Sequence, residues 1–359
     1  MKLAVLIPTL NEEENIENIT KQIDESIIKY FSNDTVYIVN CDSNSDDRTR
    51  ELFKKCITKT KKISFNTKKR GKGYNLIKFM NFCIKNSVDF GITIDADIKS
   101  MQQDWIYKFV KELNKGFNYV TPLYERSKYD GNLTNQLIFP VISLYSKTII
   151  RQPIGGEFAF DKKFMKLFSK EYNSFSFSYG IDICMTLCAI NNNLNVSSVD
   201  LGMKIHKPGI NNMKKMFEEV APALFVNLDY CMIGKTKNEF NKCKKIYSFF
   251  EDDFTKRKKG NILREEAISN LQKPKFDSII RETNFTILND VSSETWVNIL
   301  YYFINKKGAI NNVDFEFLTN VFVIRTVTYW DEIANLSLLD GENILYQYIK
   351  MLNDKMEDK

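Results

Sequence analysis

Phe90-Gly91-Ile92-Thr93-Ile94-Asp95-Ala96-Asp97 is an apolar run of strand length that ends on two carboxylates at i and i+2. Continuous rather than alternating apolar character marks a strand covered on both faces, as in a parallel sheet. Upstream, Leu3-Ala4-Val5-Leu6-Ile7 is a second such run, ended by Pro8. Between them the chain reads as a helix over 11–28, a strand over 35–40 and a polar turn over 42–47. A helix to about Lys59, a strand over 61–65 and a helix over 74–86 follow. This alternation predicts an α/β fold built on a doubly wound parallel sheet. Ligands bind such sheets beyond the carboxyl ends of the strands. Pro8–Glu13, Asp42–Asp46, Arg70–Gly73 and Asp95–Asp97 should therefore line one edge.

Past Asp104 the pattern is less regular. A helix is expected over 105–114, a strand over 118–121, and a helix over 133–149 bent at Pro140. A glycine-containing turn over 152–159, a helix over 181–191 and a short strand over 197–201 come next. Beyond Gly209 the chain reads as helical, over 213–230, 238–256, 262–270, 295–305, 314–324 and 342–355. The expected division is a catalytic domain over 1–225, with a donor half over 1–100 and an acceptor half over 101–225, then a helical domain over 226–359. Trp296–Phe303 and Phe315–Ile324 are too apolar to stay exposed. They must pack on the catalytic domain or on another chain, which makes a homodimer a candidate assembly.

The 359 residues carry a net charge of +6, and 43% are apolar, which suits a globular chain with anionic small-molecule partners. The lysine-rich stretches Lys54–Lys62 and Lys242–Lys245 read as solvated faces, so no nucleic acid is expected. No stretch approaches the roughly 20 apolar residues of a membrane span, and the opening apolar run is too short for a signal peptide. Seven cysteines without a CxxC pair suggest reduced thiols and a cytoplasmic location. Cys184 and Cys188, four apart on an expected helix, read as two buried small side chains.

Two carboxylates at a strand end can reach one ligand where the chain turns, and hard divalent cations take oxygen ligands shared with substrate phosphates. A DxD triplet alone recurs by chance; the strand before it gives it weight. His206, the only histidine, sits in Lys204-Ile205-His206-Lys207, which can present an imidazole and two ammonium groups to a diphosphate. Imidazole favours Mn²⁺ while permitting Mg²⁺. Arg70-Gly71-Lys72-Gly73 lacks the upstream glycine and following hydroxyl of a P-loop, but its glycines allow close backbone approach. Gln152-Pro153-Ile154-Gly155-Gly156-Glu157 makes a backbone-exposing turn, with Glu157 set to meet sugar hydroxyls. Asp182 opens a helix, where it compensates the dipole, recognises an acceptor or stands in the shell of a metal.

These segments, together with Ile7–Glu13, Gly131-Asn132-Leu133-Thr134 and Tyr179-Gly180-Ile181-Asp182, resemble the GT-A glycosyltransferases over roughly residues 1–225. The resemblance is closer to the glucosyl-3-phosphoglycerate and mannosylglycerate synthases, although Asn132 stands where they carry arginine. It implies a Rossmann-like domain and a sugar donor such as UDP- or GDP-linked glucose or mannose. Pro8, Thr9, Leu10, Glu12, Asp42, Ser43, Lys72, Asp95, Gly155 and Gly156 would hold this donor. Asp97 and His206 would bind Mn²⁺ or Mg²⁺. Asp95, Asp97, Thr134, Glu157 and Asp182 would form the catalytic set. Arg126, Asn132, Thr134 and Asp182 would meet a small acidic acceptor such as glycerate or 3-phosphoglycerate. The subgroup retains anomeric configuration. Two other readings remain open at this stage: an inverting transferase acting on a glycan or lipid with Asp182 as general base, and a non-catalytic nucleotide-sugar-binding or interaction module.

Overall fold

The computed structural model describes residues 1–171, 178–205, 212–228 and 253–357. It divides into two compact units, Met1–Tyr124 with Ile150–Lys207, and Glu125–Ile149 with Pro208–Lys359.

In the first unit, β1 (Lys2–Thr9), β2 (Thr35–Asp42), β3 (Lys61–Asn66) and β4 (Phe90–Thr93) alternate with α1 (Ile16–Tyr30), α2 (Thr49–Lys55) and α3 (Lys72–Lys85). The next elements are α4 (Trp105–Asn114), β5 (Tyr119–Glu125), α5 (Phe139–Tyr145, in the second unit), β6 (Phe158–Asp161), α6 (Lys162–Glu171), α7 (Ile181–Asn191) and β7 (Val196–Met203). The sheet order is β3-β2-β1-β4-β6-β5-β7. The β1–β2, β1–β4 and β2–β3 pairs are parallel, as expected. Leu3, Val5, Ile7, Ile92 and Ile94 are buried in one core with Trp105 and Phe109 from α4. The register sets Thr9 beside Asp42, so the loops after β1 and β2 leave the sheet together.

Three expectations change. The turn over 152–159 ends at Glu157, because Phe158–Asp161 is a strand antiparallel to both β4 and β5. Four residues are too few to show a periodicity; this strand is specified by packing, with Phe160 seated over Gly91. The bent helix over 133–149 is a wide π-turn over Thr134–Ile138 that passes into α5, with Pro140 in the first turn of α5 rather than at a bend. Helix α1 also starts later than expected, after a loop in which Asn11 takes a left-handed φ of 57°.

The second unit holds α5, α8 (Met213–Leu228), α9 (Asp253–Leu271), α10 (Asp277–Glu282), α11 (Ser293–Lys306), α12 (Asn312–Ile333) and α13 (Leu338–Glu357). The expected boundary at 225 falls inside α8, and the unit also takes in Glu125–Ile149. Buried polar contacts explain this. Trp296 Nε1 donates to the Gln136 carbonyl (2.7 Å), Tyr348 Oη donates to Gln136 Oε1 (3.1 Å), and Trp330 Nε1 donates to Asn132 Oδ1 (2.9 Å). Trp296, Phe303, Phe317 and Phe322 are fully buried within this unit, so covering them needs no second copy. Most of the helix expected over 238–256 lies outside the described residues. Among the described residues, no helix is long and apolar enough to cross a membrane. The five described cysteines are buried, Cys184 and Cys188 among them.

Candidate active site

The loops after β1 and β2 are tied together by their own polar groups. Asp42 is fully buried: Oδ1 accepts from Thr9 Oγ1 (3.0 Å) and Ser45 Oγ (2.6 Å), and Oδ2 from the Ser45 amide (2.9 Å). It shapes the 42–45 turn from beneath, with Asn44 in the left-handed region at φ 62°. Asn11 reaches across, donating its amide to Ser45 Oγ (2.9 Å) and accepting from the Asp46 amide (2.9 Å). Leu10 is exposed on this rim, Pro8 and Thr9 end β1, and Glu12 accepts from Asn15 Nδ2 (2.6 Å). Ser43 Oγ donates to the Gly71 carbonyl (3.3 Å), joining the rim to the start of α3.

Lys72 opens α3 and gathers three segments. Its ammonium stands 3.0 Å from Asp95 Oδ1, 3.2 Å from Asp182 Oδ1 and 3.1 Å from the Gly156 carbonyl. Asp95 follows β4, Gly156 precedes β6 and Asp182 lies in the first turn of α7. The Gly-Gly turn is held from below. Lys204 Nζ donates to the Gly155 carbonyl (2.7 Å) and to Glu157 Oε2 (2.9 Å), and Tyr124 Oη donates to the same carboxylate oxygen (2.5 Å). Thr93 Oγ1 accepts from the Phe158 amide (2.9 Å) and donates to the Gly156 carbonyl (3.4 Å). Both glycines are required. A Cβ on Gly155 would fall 2.1 Å from Pro122 Cγ, and one on Gly156 would fall 2.6 Å from Asp95 Oδ2.

Sequence reasoning set Glu157 to meet sugar hydroxyls; the structure buries it completely beneath the turn, bonded to Lys204 and Tyr124. The pairing of Lys204 with Glu157 and the part played by Thr93 were missed. A threonine in an otherwise apolar strand, one residue before Ile94-Asp95, is the signal that could have flagged Thr93.

The electrostatics follow from burial and like charge. Burial pushes the Asp182 carboxyl up to about 6, against the pull of the Lys72 ammonium. Burial alone would lower Lys72, but Asp182, Asp95 and Glu157 outweigh it and hold it above the ordinary lysine value. Asp97 is raised by burial and then by the charge of Asp95. Its carboxylate forms no ion pair with a described residue. That chemistry suits a hard cation, which would relieve the repulsion between Asp95 and Asp97. Among the described residues, no group of three or more His, Cys, Asp or Glu side chains can hold a metal ion by itself. His206 lies outside the described residues.

The acceptor-side residues Arg126, Asn132 and Thr134 belong to the second unit. There Asn132 accepts from Trp330 and donates to the Tyr129 carbonyl (3.2 Å), and Thr134 opens the π-turn. Nearby, Lys128 caps the end of α12 by donating to the carbonyls of Ile333 (3.1 Å) and Ala334 (2.8 Å).

The chain is similar to glucosyl-3-phosphoglycerate synthase from Mycobacterium tuberculosis solved with Mn²⁺, UDP and phosphoglyceric acid. Identity is 21%, with 65% of this chain and 79% of that chain covered and a TM-score of 0.53. A second structure of that enzyme, with Mn²⁺, UDP and glucosyl-3-phosphoglycerate, is 22% identical over 65% of this chain and 81% of that chain, with a TM-score of 0.52. No curated protein matches the chain in sequence. The fold is thus that of the GT-A glycosyltransferases. More particularly, residues 4–176 match the model described as Glycosyl transferase family 2, and this stretch is a family 2 glycosyltransferase domain.

Proposed function

We propose that this glycosyltransferase moves a hexose from a nucleotide-diphosphate sugar to a small acidic acceptor with retention of anomeric configuration. The observation that carries the reading is the convergence of Asp95, Asp182 and the Gly156 carbonyl on the Lys72 ammonium at the carboxyl edge of the sheet. In this reading the nucleoside lies against Pro8, Thr9, Leu10, Glu12 and Ser43, with Asp42 shaping the turn from beneath. Gly155 and Gly156 leave backbone room for the sugar, and Asp95 and Asp182 accept from its hydroxyls. Asp97 and His206 would hold the divalent ion, which supplies charge stabilisation to the departing diphosphate. The acceptor oxygen bonds to the anomeric carbon on the face that the diphosphate leaves, and its proton passes to the departing phosphate oxygen. Glu157 then acts by supporting the Gly-Gly turn. The acceptor side, with Arg126, Asn132 and Thr134, is proposed on sequence resemblance alone.

The elevated Asp182 carboxyl, near 6, favours a second reading. A base poised near neutrality can take the acceptor proton directly, and the product is then inverted. A panel of UDP- and GDP-linked glucose and mannose, with Mn²⁺ or Mg²⁺ and with chelator, tests the donor by thermal shift. Product analysis with glycerate and 3-phosphoglycerate follows. Metal-dependent stabilisation and a retained anomer are expected. An inverted anomer selects the second reading, and a clearly preferred neutral acceptor rules out the acidic one.

A further inference from the structure

We propose that Lys72 is a positioning residue that spaces Asp95 and Asp182 for the donor sugar, and not a ligand of the diphosphate; this rests on the donor site proposed above. An ammonium has three N–H donors and no more. Those of Lys72 go to Asp95 Oδ2, Asp182 Oδ2 and the Gly156 carbonyl, at 3.3, 3.3 and 3.1 Å. Each acceptor comes from a different segment, and each segment is fixed independently. The Gly156 carbonyl is also bonded by Thr93 Oγ1, on a backbone with φ +98°. Asp182 is set by the first turn of α7, and Asp95 by the end of β4. The lysine side chain is only 18% exposed, and those of Asp95 and Asp182 are 26% and 13% exposed.

For Lys72 to donate to a phosphate it must abandon one of these acceptors. That leaves a largely buried carboxylate without its counter-ion, the costly arrangement for a charge. Left in place, Lys72 cancels one of the two negative charges and keeps the carboxylates about one ammonium apart. Asp182 Oδ1 is then a buried acceptor left without a hydrogen-bond partner among the described residues. Such a pair of carboxylates accepts hydrogen bonds from a neutral polyhydroxylated ring and repels a diphosphate. The cluster therefore recognises the hexose, and the diphosphate must be held elsewhere on the edge.

The test compares wild type, Lys72→Met, Asp182→Asn and the double variant. UDP and GDP affinity with Mn²⁺ is measured by titration calorimetry, and kcat and donor KM by turnover. For Lys72→Met, nucleoside-diphosphate affinity should stay within about twofold of wild type while kcat falls about ten-fold or more, because a transition-state contact and not uniform binding is lost. Affinity that falls about ten-fold with kcat kept, or an unchanged kcat, overturns the proposal. Lys72→Met alone leaves two carboxylates facing each other and can fail to fold, whereas the double variant removes one of them. It should turn over like Asp182→Asn, since Lys72 acts through that carboxylate. A further loss in the double variant as large as that from Lys72→Met in wild type overturns the proposal, as does a double variant slower than Asp182→Asn where the single variant does not fold. A wild type that turns over no nucleotide sugar removes the underlying reading and this inference together; an active wild type with the wrong partition removes only the inference.

Discussion

A methyl group on Gly156 would stand 2.6 Å from Asp95 Oδ2 and 3.2 Å from Lys204 Nζ, on a backbone at φ +98° that side chains rarely adopt. Gly156→Ala should therefore cost about 1–3 kcal/mol of stability through backbone strain, and it should displace Asp95 from Lys72. Urea unfolding reads the first effect and donor turnover the second; a variant with wild-type values of both would show that the turn is not rigid. Asp182 supplies a pH signature. Its carboxyl is held near 6, above the ordinary 3.8, so the folded chain keeps a proton that the unfolded chain has lost. Stability contributed by that proton is present at low pH and is lost as pH rises from about 4 to about 6. Lys72, shifted upward, contributes stability that persists through this window and is lost only in the alkaline range. Asp182→Asn should accordingly gain on wild type in urea midpoint between pH 4 and pH 6. A pH-independent difference would mean that Asp182 is not elevated. At this scale the sequence revealed groups at strand ends, such as Asp95 and Asp97, and the Gly-Gly pair. It did not reveal that Glu157 faces inward, because its partner Lys204 is 47 residues away.

Elements with a long enough period were legible. Strands β1, β2 and β4 hold continuous apolar runs bounded by polar turns, β3 alternates through Ile63 and Phe65, and α4 coincides with its expected span of 105–114. Strand β6 was not legible, because a four-residue antiparallel insertion leaves no pattern and is chosen by what lies across from it. Gly91 on β4 is the imprint of that choice. A Cβ there would meet Phe160 Cε2 at 2.5 Å and Phe79 Cε1 at 3.2 Å, inside an aromatic stack that also includes Phe164. Gly91→Ala should overpack this contact and cost about 1–3 kcal/mol. The β4–β6 pairing sets the Gly-Gly turn beside Asp95, so donor affinity should fall along with the urea midpoint. Loss of stability with donor affinity intact would separate the strand from the site.

At the scale of the whole molecule, sequence order misleads. Residues 125–149 follow the DxD and read as acceptor-half catalytic chain, yet they fold with helices of the C-terminal half. No local pattern could say so. The contacts that decide it span 160 residues for Trp296 with Gln136, 198 for Trp330 with Asn132 and 212 for Tyr348 with Gln136. The second unit is in turn organised around one buried cation. Arg325, fully buried on α12, donates to Glu332 (2.6 and 2.8 Å), to the Val291 carbonyl (2.7 Å) and to Tyr348 Oη (3.0 Å). Tyr348 Oη passes the network on to Gln136 Oε1, so the guanidinium links α12 and α13 to the 125–149 segment. Removing one partner of a buried ion pair strands the others, and Glu332 is still one-third exposed, which moderates the loss. Arg325→Ala should cost about 3 kcal/mol, and Arg325→Lys should recover only part of it, because an ammonium cannot reproduce a bidentate fork. Trp296 and Trp330 lie in this unit and Trp105 in the other, so fluorescence in variants that keep a single tryptophan follows each unit by itself. The Trp330 transition should move to lower urea in Arg325→Ala. An unmoved Trp330 midpoint would mean that the apolar packing of α11, α12 and α13 holds this unit without the guanidinium.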